Sequence, residues 1–360
     1  MILQGKKWND VLQVSYENAL AYYRAKQDQY GIFKFMRKEE YDTNIFEVLE
    51  SVNVSVMADR RTEDSERTEK TLDDMKYLIG KINIVGTQKT LNETQTRKIL
   101  NDWSKNAPVD VIARTLDVRN QANIDAIFHR LNYDFYRTLS LGVVSITSID
   151  NGGNNVNLDG VTWDYQIPTA NKFGVKTLGK LTLEDIDKVM KASKSTVRSI
   201  FMDATTFDTL AQDEGLVKAY AASKNSLMEL GSLLPDQVNE YMDRRYKATI
   251  YIMDETFTKE LQSGHKQDVE GWKAGTVTFT PSSEVGAIAH TQTVEAIARN
   301  LNPNDKSFLG IQDLSILLRN YSVSEENKTF KIWTMAETHA LPVLENSNGI
   351  YQIDTTKIEA

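Results

Sequence analysis

The sequence predicts an α+β protein, and three observations support this class. Segments with apolar residues three or four positions apart alternate along the chain with short β-branched runs, as separated helices and strands do. No period of about 20 to 50 residues recurs, which excludes a solenoid. Hydrophobic residues make up 41% and charged residues 26% of the chain, close to globular averages, so the 360 residues are expected to bury a core.

Composition excludes several classes of function. The chain has no cysteine, which removes disulfides, thiolate nucleophiles and cysteine-ligated zinc. Its net charge of −8 works against steering toward a phosphate polyanion, so sequence-specific DNA binding is not expected. Neither a bilayer-spanning apolar run nor a secretory signal is recognisable, and we expect a soluble protein made in the cytoplasm, with no membrane partner.

The N-terminal segment 8–30 predicts an amphipathic helix rich in aromatic residues. Trp8, Tyr22 and Tyr23 fall on or near its apolar stripe. Aromatic side chains are enriched both in protein interfaces and in cores. These three residues are therefore candidate inter-subunit contacts, with ordinary core aromatics as the alternative interpretation.

A long hairpin with a charged tip is predicted next. Val52, Val54 and Val56 alternate with polar residues, as in a half-buried strand, and strand-like residues resume at Ile79. Between them, 59–76 mixes both signs of charge with few apolar residues and cannot form a core alone. A solvated loop is the alternative. Five residues of this segment are candidate inter-subunit contacts: Asp59, Arg60, Arg61, Glu63 and Arg67.

Helix signals mark four further segments. A capping box at Thr90 to Glu93 predicts a helix to about Trp103, and Thr182 to Asp185 predicts another to about Ala192. A long spine helix is predicted from the apolar spacing between Ile124 and Leu139, with Gly142 as its C-terminal stop. Apolar spacing also predicts a helix over 206–220, and strands are predicted at 199–202, 248–253, 276–279 and 328–335.

No motif for catalysis, cofactor binding or metal binding is present. The four histidines, His129, His265, His290 and His339, are far apart and lack metal-ligand spacing. Phosphate-binding loops, dinucleotide fingerprints and nucleophile elbows are also missing, so we predict no catalytic residue, no cofactor and no metal. A two-carboxylate hydrolase remains an open alternative, because carboxylates are too abundant to exclude one by counting.

From the spine helix onward, the order of segments resembles the lambda-type (E-type) major capsid proteins of tailed bacteriophages, which have the Hong Kong 97-like fold. The resemblance covers about 109–358 and has no invariant catalytic signature. Five segments carry the resemblance: the spine helix at 119–142, Gly160 to Trp163 with Tyr165 to Pro168, Ile200 to Asp203, the strands at 246–290, and Glu326 to Trp333 followed by Ala336 to Val343.

The resemblance implies a division of the chain into five parts. These are an N-terminal arm at 1–50, an extended loop (E-loop) at 51–108, a first peripheral part at 109–195, an axial domain at 196–322 and peripheral return strands at 323–360. The first 108 residues match the family less well in sequence. Their arm and charged hairpin still fit its architecture.

The resemblance also implies a non-enzymatic function. The expected function is self-assembly through pentamers and hexamers into an icosahedral head around phage DNA, without sequence-specific DNA binding. Portal, scaffolding and decoration proteins are the other implied partners, with the virion capsid as location and the bacterial cytoplasm as place of assembly. An encapsulin-like nanocompartment shell is the nearest alternative, because it shares the fold.

Overall fold

The computed structural model describes residues 6–50, 76–146, 161–224, 231–261, 263–300, 308–323 and 330–359. The predicted strand around Val54 and the predicted turn at 151–155 lie outside these ranges. None of the helices within them is both long enough and apolar enough to cross a membrane.

Nine α-helices occur in the described ranges. They are α1 (Lys6–Lys26), α2 (Gly31–Phe35), α3 (Glu93–Ser104), α4 (Val109–Leu141), α5 (Leu183–Ala192), α6 (Ala204–Ala211), α7 (Glu214–Ser223), α8 (Pro235–Tyr246) and α9 (Val294–Asn300).

The described residues also form seventeen strands, so helices and strands are mixed as predicted. They are β1 (Met36–Glu40), β2 (Ile45–Glu50), β3 (Lys76–Lys81), β4 (Ile84–Thr90), β5 (Val143–Ile146), β6 (Val161–Asp164), β7 (Lys172–Val175), β8 (Ser199–Met202), β9 (Thr249–Ile252), β10 (Thr256–Glu260), β11 (Lys266–Glu270), β12 (Thr276–Thr280), β13 (Gly286–Thr291), β14 (Phe308–Ile311), β15 (Ile316–Val323), β16 (Lys331–Leu344) and β17 (Tyr351–Ile358).

The first sheet is organised around β16, the longest described strand. Its strand order is β1-β13-β16-β15-β14, and β4 pairs with β16 outside this path. Along its length β16 is antiparallel to β13, β15 and β4. It starts close to the predicted strand at 328–335 but continues nine residues further, to Leu344. Pro342 lies opposite Ile288 near the far end of β16, where the chain no longer pairs with β4.

The second sheet separates two hydrophobic cores. Its strand order is β7-β17-β12-β8-β9. Because side chains alternate across a strand, Phe201 of β8 points into the first core while its neighbours Ile200 and Met202 point into the second. The first core also takes in α1, α4 and the first sheet, and the second takes in α5 to α8.

The two cores describe side-chain packing and do not test the five-part division of the chain, whose boundaries at 196 and 323 stay a prediction. The segment from Val175 to Met190 and Ile353 belong to the second core, whereas Ile288 and the strands up to Leu344 belong to the first. The chain passes between the two cores more than once. The reason is that β17 returns to the second sheet, between β7 and β12.

The spine helix α4 confirms the strongest helix prediction and extends it. The apolar stripe from Ile124 to Leu139 is fully buried, and Gly142 ends the helix with a left-handed φ of 69°. The helix begins at Val109, ten residues before the predicted start, directly after Pro108. Proline is tolerated directly before the first turn of a helix because an N–H group at that position would have no partner within the helix.

Two local predictions are corrected by hydrogen bonding. Thr90 does not cap α3, because it is the last residue of β4 and pairs with Trp333. The capping box is formed by Asn92 and Gln95 instead. The helix predicted over 206–220 is two helices, since the chain breaks before Asp213, whose side chain caps α7. By contrast, the capping box of Thr182 and Asp185 on α5 is confirmed.

Candidate assembly surfaces

The predicted hairpin is present at its base as a two-stranded ribbon, β2 paired with β3. The strands are antiparallel and in regular register, from Ile45 opposite Lys81 to Glu50 opposite Lys76. A backbone hydrogen bond of 2.8 Å from the N–H of Ile82 to the carbonyl of Asn44 closes the base. These contacts fix how the chain enters and leaves the segment between the two strands.

The inner face of the ribbon is anchored by Phe46. This ring is fully buried and lies over Gly80, its partner in the register. A Cβ atom at Gly80 would lie 2.3 Å from the Phe46 ring, so only glycine leaves room for it. Ile82 is fully buried as well, and its carbonyl oxygen lies 3.1 Å from Nδ1 of His339.

The outer face of the ribbon presents two exposed isoleucines next to the charged residues Glu47 and Lys81. Ile45 and Ile79 are 53% and 56% exposed, and Ile84 at the start of β4 is 60% exposed. Alternation along the strands puts Ile45 and Ile79 on the face opposite Phe46. Exposed apolar side chains close together and flanked by charged residues are typical of a contact with another protein.

Five predicted contact residues lie outside the described part of the chain: Asp59, Arg60, Arg61, Glu63 and Arg67. The ribbon strands β2 and β3 are the described residues nearest to them in sequence. Their role in subunit contacts stays a prediction.

The three predicted aromatic contacts of α1 are turned toward the subunit itself. Trp8 is 6% exposed and packs edge-on against Trp103, and Tyr23 is 1% exposed and packs against Phe128. Tyr22 is half-buried. These positions fit the alternative interpretation, core aromatics, because the aromatic faces are occupied by the same chain.

Polar side chains of α1 donate hydrogen bonds to carboxylates elsewhere in the subunit. Ser15 donates to Asp117 over 2.6 Å, Tyr22 donates to Asp125 over 2.7 Å, and Tyr23 donates to Asp313 over 3.0 Å. Burial, reinforced by Asp125, raises the pKa of Tyr22 to about 12, and burial together with Asp313 raises the pKa of Tyr23. Both phenols therefore stay protonated and remain donors at neutral pH.

Among the described residues, two carboxyl groups have a raised pKa, mainly because burial disfavours their charged form: Asp117 and Glu255. Asp117 accepts hydrogen bonds from α1, and Glu255 accepts one from Asn132. A cavity of about 210 Å³ lies between the turn at 28–31, α4 and β9, but neither carboxylate lines it. The pairing of a pocket with a raised-pKa acid, which a carboxylate hydrolase requires, is not present at this cavity.

Three of the four histidines, His129, His290 and His339, make contacts within the fold, whereas His265 is exposed. Nδ1 of His290 lies 3.0 Å from Oγ of Ser315, and burial lowers the pKa of His290. His129 packs against Tyr30. Within the described ranges, no group of three or more histidine or carboxylate residues is placed to hold a metal ion.

Sequence reasoning missed the residues that hold the ribbon and α1 in place. The contact of Phe46 with Gly80 had one available signal, a glycine inside a strand pattern, which marks a close approach. Asp117 and Asp313 had none, because their partners on α1 are 102 and 290 positions away in sequence.

Comparison with known proteins gives structural matches only. No known sequence family and no curated protein matches the chain. The chain is similar to a proposed capsid protein of a prophage from E. coli CFT073, with a TM-score of 0.56 and 11% identity over 93% of this chain and 97% of that one. It is also similar to a phage-related protein from Bordetella bronchiseptica RB50, with a TM-score of 0.52 and 10% identity over 94% and 96% of the two chains.

These matches define the fold. They span nearly the whole of each chain, so the likeness concerns the overall fold and not an isolated motif. The chain has the Hong Kong 97-like capsid fold, and the fold prediction is confirmed.

Proposed function

We propose that this protein is a structural subunit of a tailed-phage head, a major capsid protein that acts by self-association. The observation that carries the proposal is the ribbon, whose outer face presents Ile45 and Ile79 to solvent while Phe46 anchors it to the subunit. The shared fold with a prophage capsid protein supports it. A large total contact area made of many modest contacts is how such shells are held together.

In this proposal each part of the chain has a separate role. The ribbon and the charged residues beyond it form an extended loop that lies over a neighbouring subunit. The second core forms the axial part, which meets other copies around five-fold and six-fold positions, and the first core with α4 forms the peripheral part. Mixed charges such as Arg60 and Glu63 then set the register of the contact, although each exposed pair contributes little energy.

The proposed role is non-enzymatic, and the proposed location is the virion capsid after assembly in the bacterial cytoplasm. The packaged DNA would be enclosed without sequence-specific contacts, which fits the net charge of −8. Portal, scaffolding and decoration proteins would be the other partners.

Particle size tests the proposal. Purified protein is expected to give pentamers, hexamers or closed particles in light scattering and negative-stain electron microscopy. A monomer at all concentrations, with the ribbon folded, would contradict it. Closed particles that enclose protein cargo and no DNA would instead favour the encapsulin-like alternative, and the ratio of absorbance at 260 and 280 nm separates the two kinds of particle.

The ribbon surface has its own test. The double variant Ile45→Ser/Ile79→Ser is expected to fold normally but to shift the assembly midpoint to higher protein concentration. About half of each side chain is exposed, so burial in a contact is worth about 1 kcal/mol per residue. The matched control, Val118→Ser/Leu178→Ser, removes two exposed apolar side chains outside the ribbon. Equal assembly defects in both double variants would remove the ribbon from the proposal.

A further inference from the structure

Strand β9 is an edge strand with the composition of an aggregation-prone segment. It ends the second sheet and pairs only with β8 in the described part of the chain. The six residues from Ala248 to Met253 are uncharged, contain no proline and are rich in β-branched and aromatic residues. Segments of this kind pair readily with identical strands when their edge is open.

The direction of the backbone groups shows which residue needs protection. The N–H groups of Thr249 and Met253 point toward β8. They donate to the carbonyls of Arg198, directly before β8, and of Met202, its last residue. Backbone groups alternate along a strand, so the N–H and C=O groups of Ile250 and Ile252 point to the open edge. An added strand would bond to both residues, and blocking Ile250 removes one of these two bonding positions.

One side chain of α8 occupies this position. Asn239 accepts a hydrogen bond of 2.7 Å from the N–H of Ile250 through Oδ1, and its Nδ2 donates to the carbonyl of Ile250 over 3.2 Å. A residue of a neighbouring antiparallel strand makes the same pair of bonds. The amide of Asn239 therefore takes the place of a strand partner.

The opposite edge of the sheet has other means of protection. It is formed by β7, which has four residues, as β9 has, but carries Lys172 and Gly174. Short edge strands with lysine are poor templates for strand addition. Since β9 has no charged residue of its own, its edge depends on a side chain from outside the strand.

We propose that Asn239 closes the edge of β9 against strand addition by a second copy of this protein. The expected partner of an unblocked edge is β9 of another copy, because two identical uncharged strands have no repulsion to separate them. The contact of Asn239 with β9 does not depend on the proposed function. Its biological importance does, because a subunit that assembles in many copies must associate through its assembly surfaces and not through this edge.

Amide hydrogen exchange at Ile250 tests the contact itself. In Asn239→Ala the exchange rate of this amide is expected to rise at least tenfold. Asn239→Asp keeps the acceptor for the Ile250 N–H but loses the donor to the carbonyl, so it should give a smaller rise. Asp243→Ala, an exposed position on the same helix, serves as control and should leave the rate unchanged. An unchanged Ile250 rate in Asn239→Ala would overturn the proposal.

Association of the variant tests the consequence. Asn239→Ala should form irregular aggregates that bind thioflavin T at concentrations where Asp243→Ala does not. Faster exchange without aggregation would show that the open edge does not recruit a second copy, which also overturns the proposal. If neither the wild type nor the control ever forms pentamers, hexamers or shells, the proposed capsid function fails, while the exchange and aggregation results keep their meaning.

Discussion

Gly80 is a position where one methyl group is enough to disturb the ribbon. A Cβ atom there would sit 2.3 Å from the Phe46 ring, so Gly80→Ala must displace a fully buried side chain. Overpacking of this kind costs about 1 to 3 kcal/mol. We expect a lower denaturant midpoint for this variant, measured by circular dichroism.

The matched control for Gly80 is Gly310 on β14. A Cβ atom at Gly310 would meet no other atom within 4 Å. Gly310→Ala is therefore expected to leave the midpoint within about 0.5 kcal/mol of wild type, as surface substitutions usually do. Equal losses in the two variants would show that the Phe46 contact does not set the cost at Gly80.

Asp117 makes the stability of the α1 contact depend on pH. Burial is the largest cause of its raised pKa and outweighs the hydrogen bonds from Ser15 and Asn18. A raised pKa in the folded state means that protonation favours folding. The stabilisation is complete below the ordinary pKa of an aspartate and is lost as pH rises through the raised value.

Asp117→Asn removes this dependence. Relative to wild type, the free energy of unfolding of the variant is expected to increase as pH rises from below the ordinary aspartate pKa to above the raised one. Urea unfolding at several pH values measures the difference in free energy between the two proteins. The loss of the hydrogen-bond acceptor lowers the stability of the variant by the same amount at every pH, so it does not change the slope of this difference against pH. Parallel profiles for the two proteins would show that burial does not perturb this carboxyl group.

At the scale of elements, the end of α4 combines two constraints on one glycine. Gly142 has a left-handed φ of 69°, and a Cβ atom there would lie 2.6 Å from Cδ1 of Ile167. Gly179 has a similar φ of 74° but open space around it. Alanine substitutions at Gly142 and Gly179 therefore separate the cost of backbone strain from the cost of the contact with Ile167.

Gly142→Ala is expected to cost more stability than Gly179→Ala. Left-handed backbone alone costs an alanine about 1 to 2 kcal/mol, and the contact with Ile167 adds about 1 to 3 kcal/mol. Thermal or urea unfolding of both variants gives the difference. Equal costs would show that the segment around Ile167 moves aside freely.

The helices also show how far local signals reach. The apolar spacing of α4 and the capping box of Thr182 on α5 identified both elements, because these signals involve residues within one or two turns. The same kind of signal failed at Asp213, where a cap splits one predicted helix into two. A polar residue inside an apolar pattern is compatible with either outcome until its hydrogen bonds are known.

At the scale of the whole molecule, the charged segment 59–76 is predicted to act in assembly. Charge reversal in Arg60→Glu/Arg61→Glu is expected to impair particle formation more than subunit folding, because inter-subunit ion pairs set register without supporting a core. Light scattering measures the first effect and unfolding of the dissociated subunit measures the second. Intact particles from this variant would exclude these two arginines from the subunit contact.

The sequence alone determined the fold class, the principal helices and several strands, and its resemblance to capsid proteins indicated the fold that the structural matches confirm. These features follow from patterns within a few residues, and from their order along the chain. The burial of Trp8 and Tyr23 was not determined in this way, because one sequence pattern fits a core and an interface equally well.

Tertiary structure alone decided how these elements combine. It placed Phe46 over Gly80, docked α1 on Asp117 and divided the chain between two cores on either side of one sheet. Each of these depends on contacts between distant parts of the chain or on which face of an element meets another. Such contacts form only after the chain has folded back on itself, so a local pattern such as the glycine inside β3 can mark a close approach but does not identify the partner.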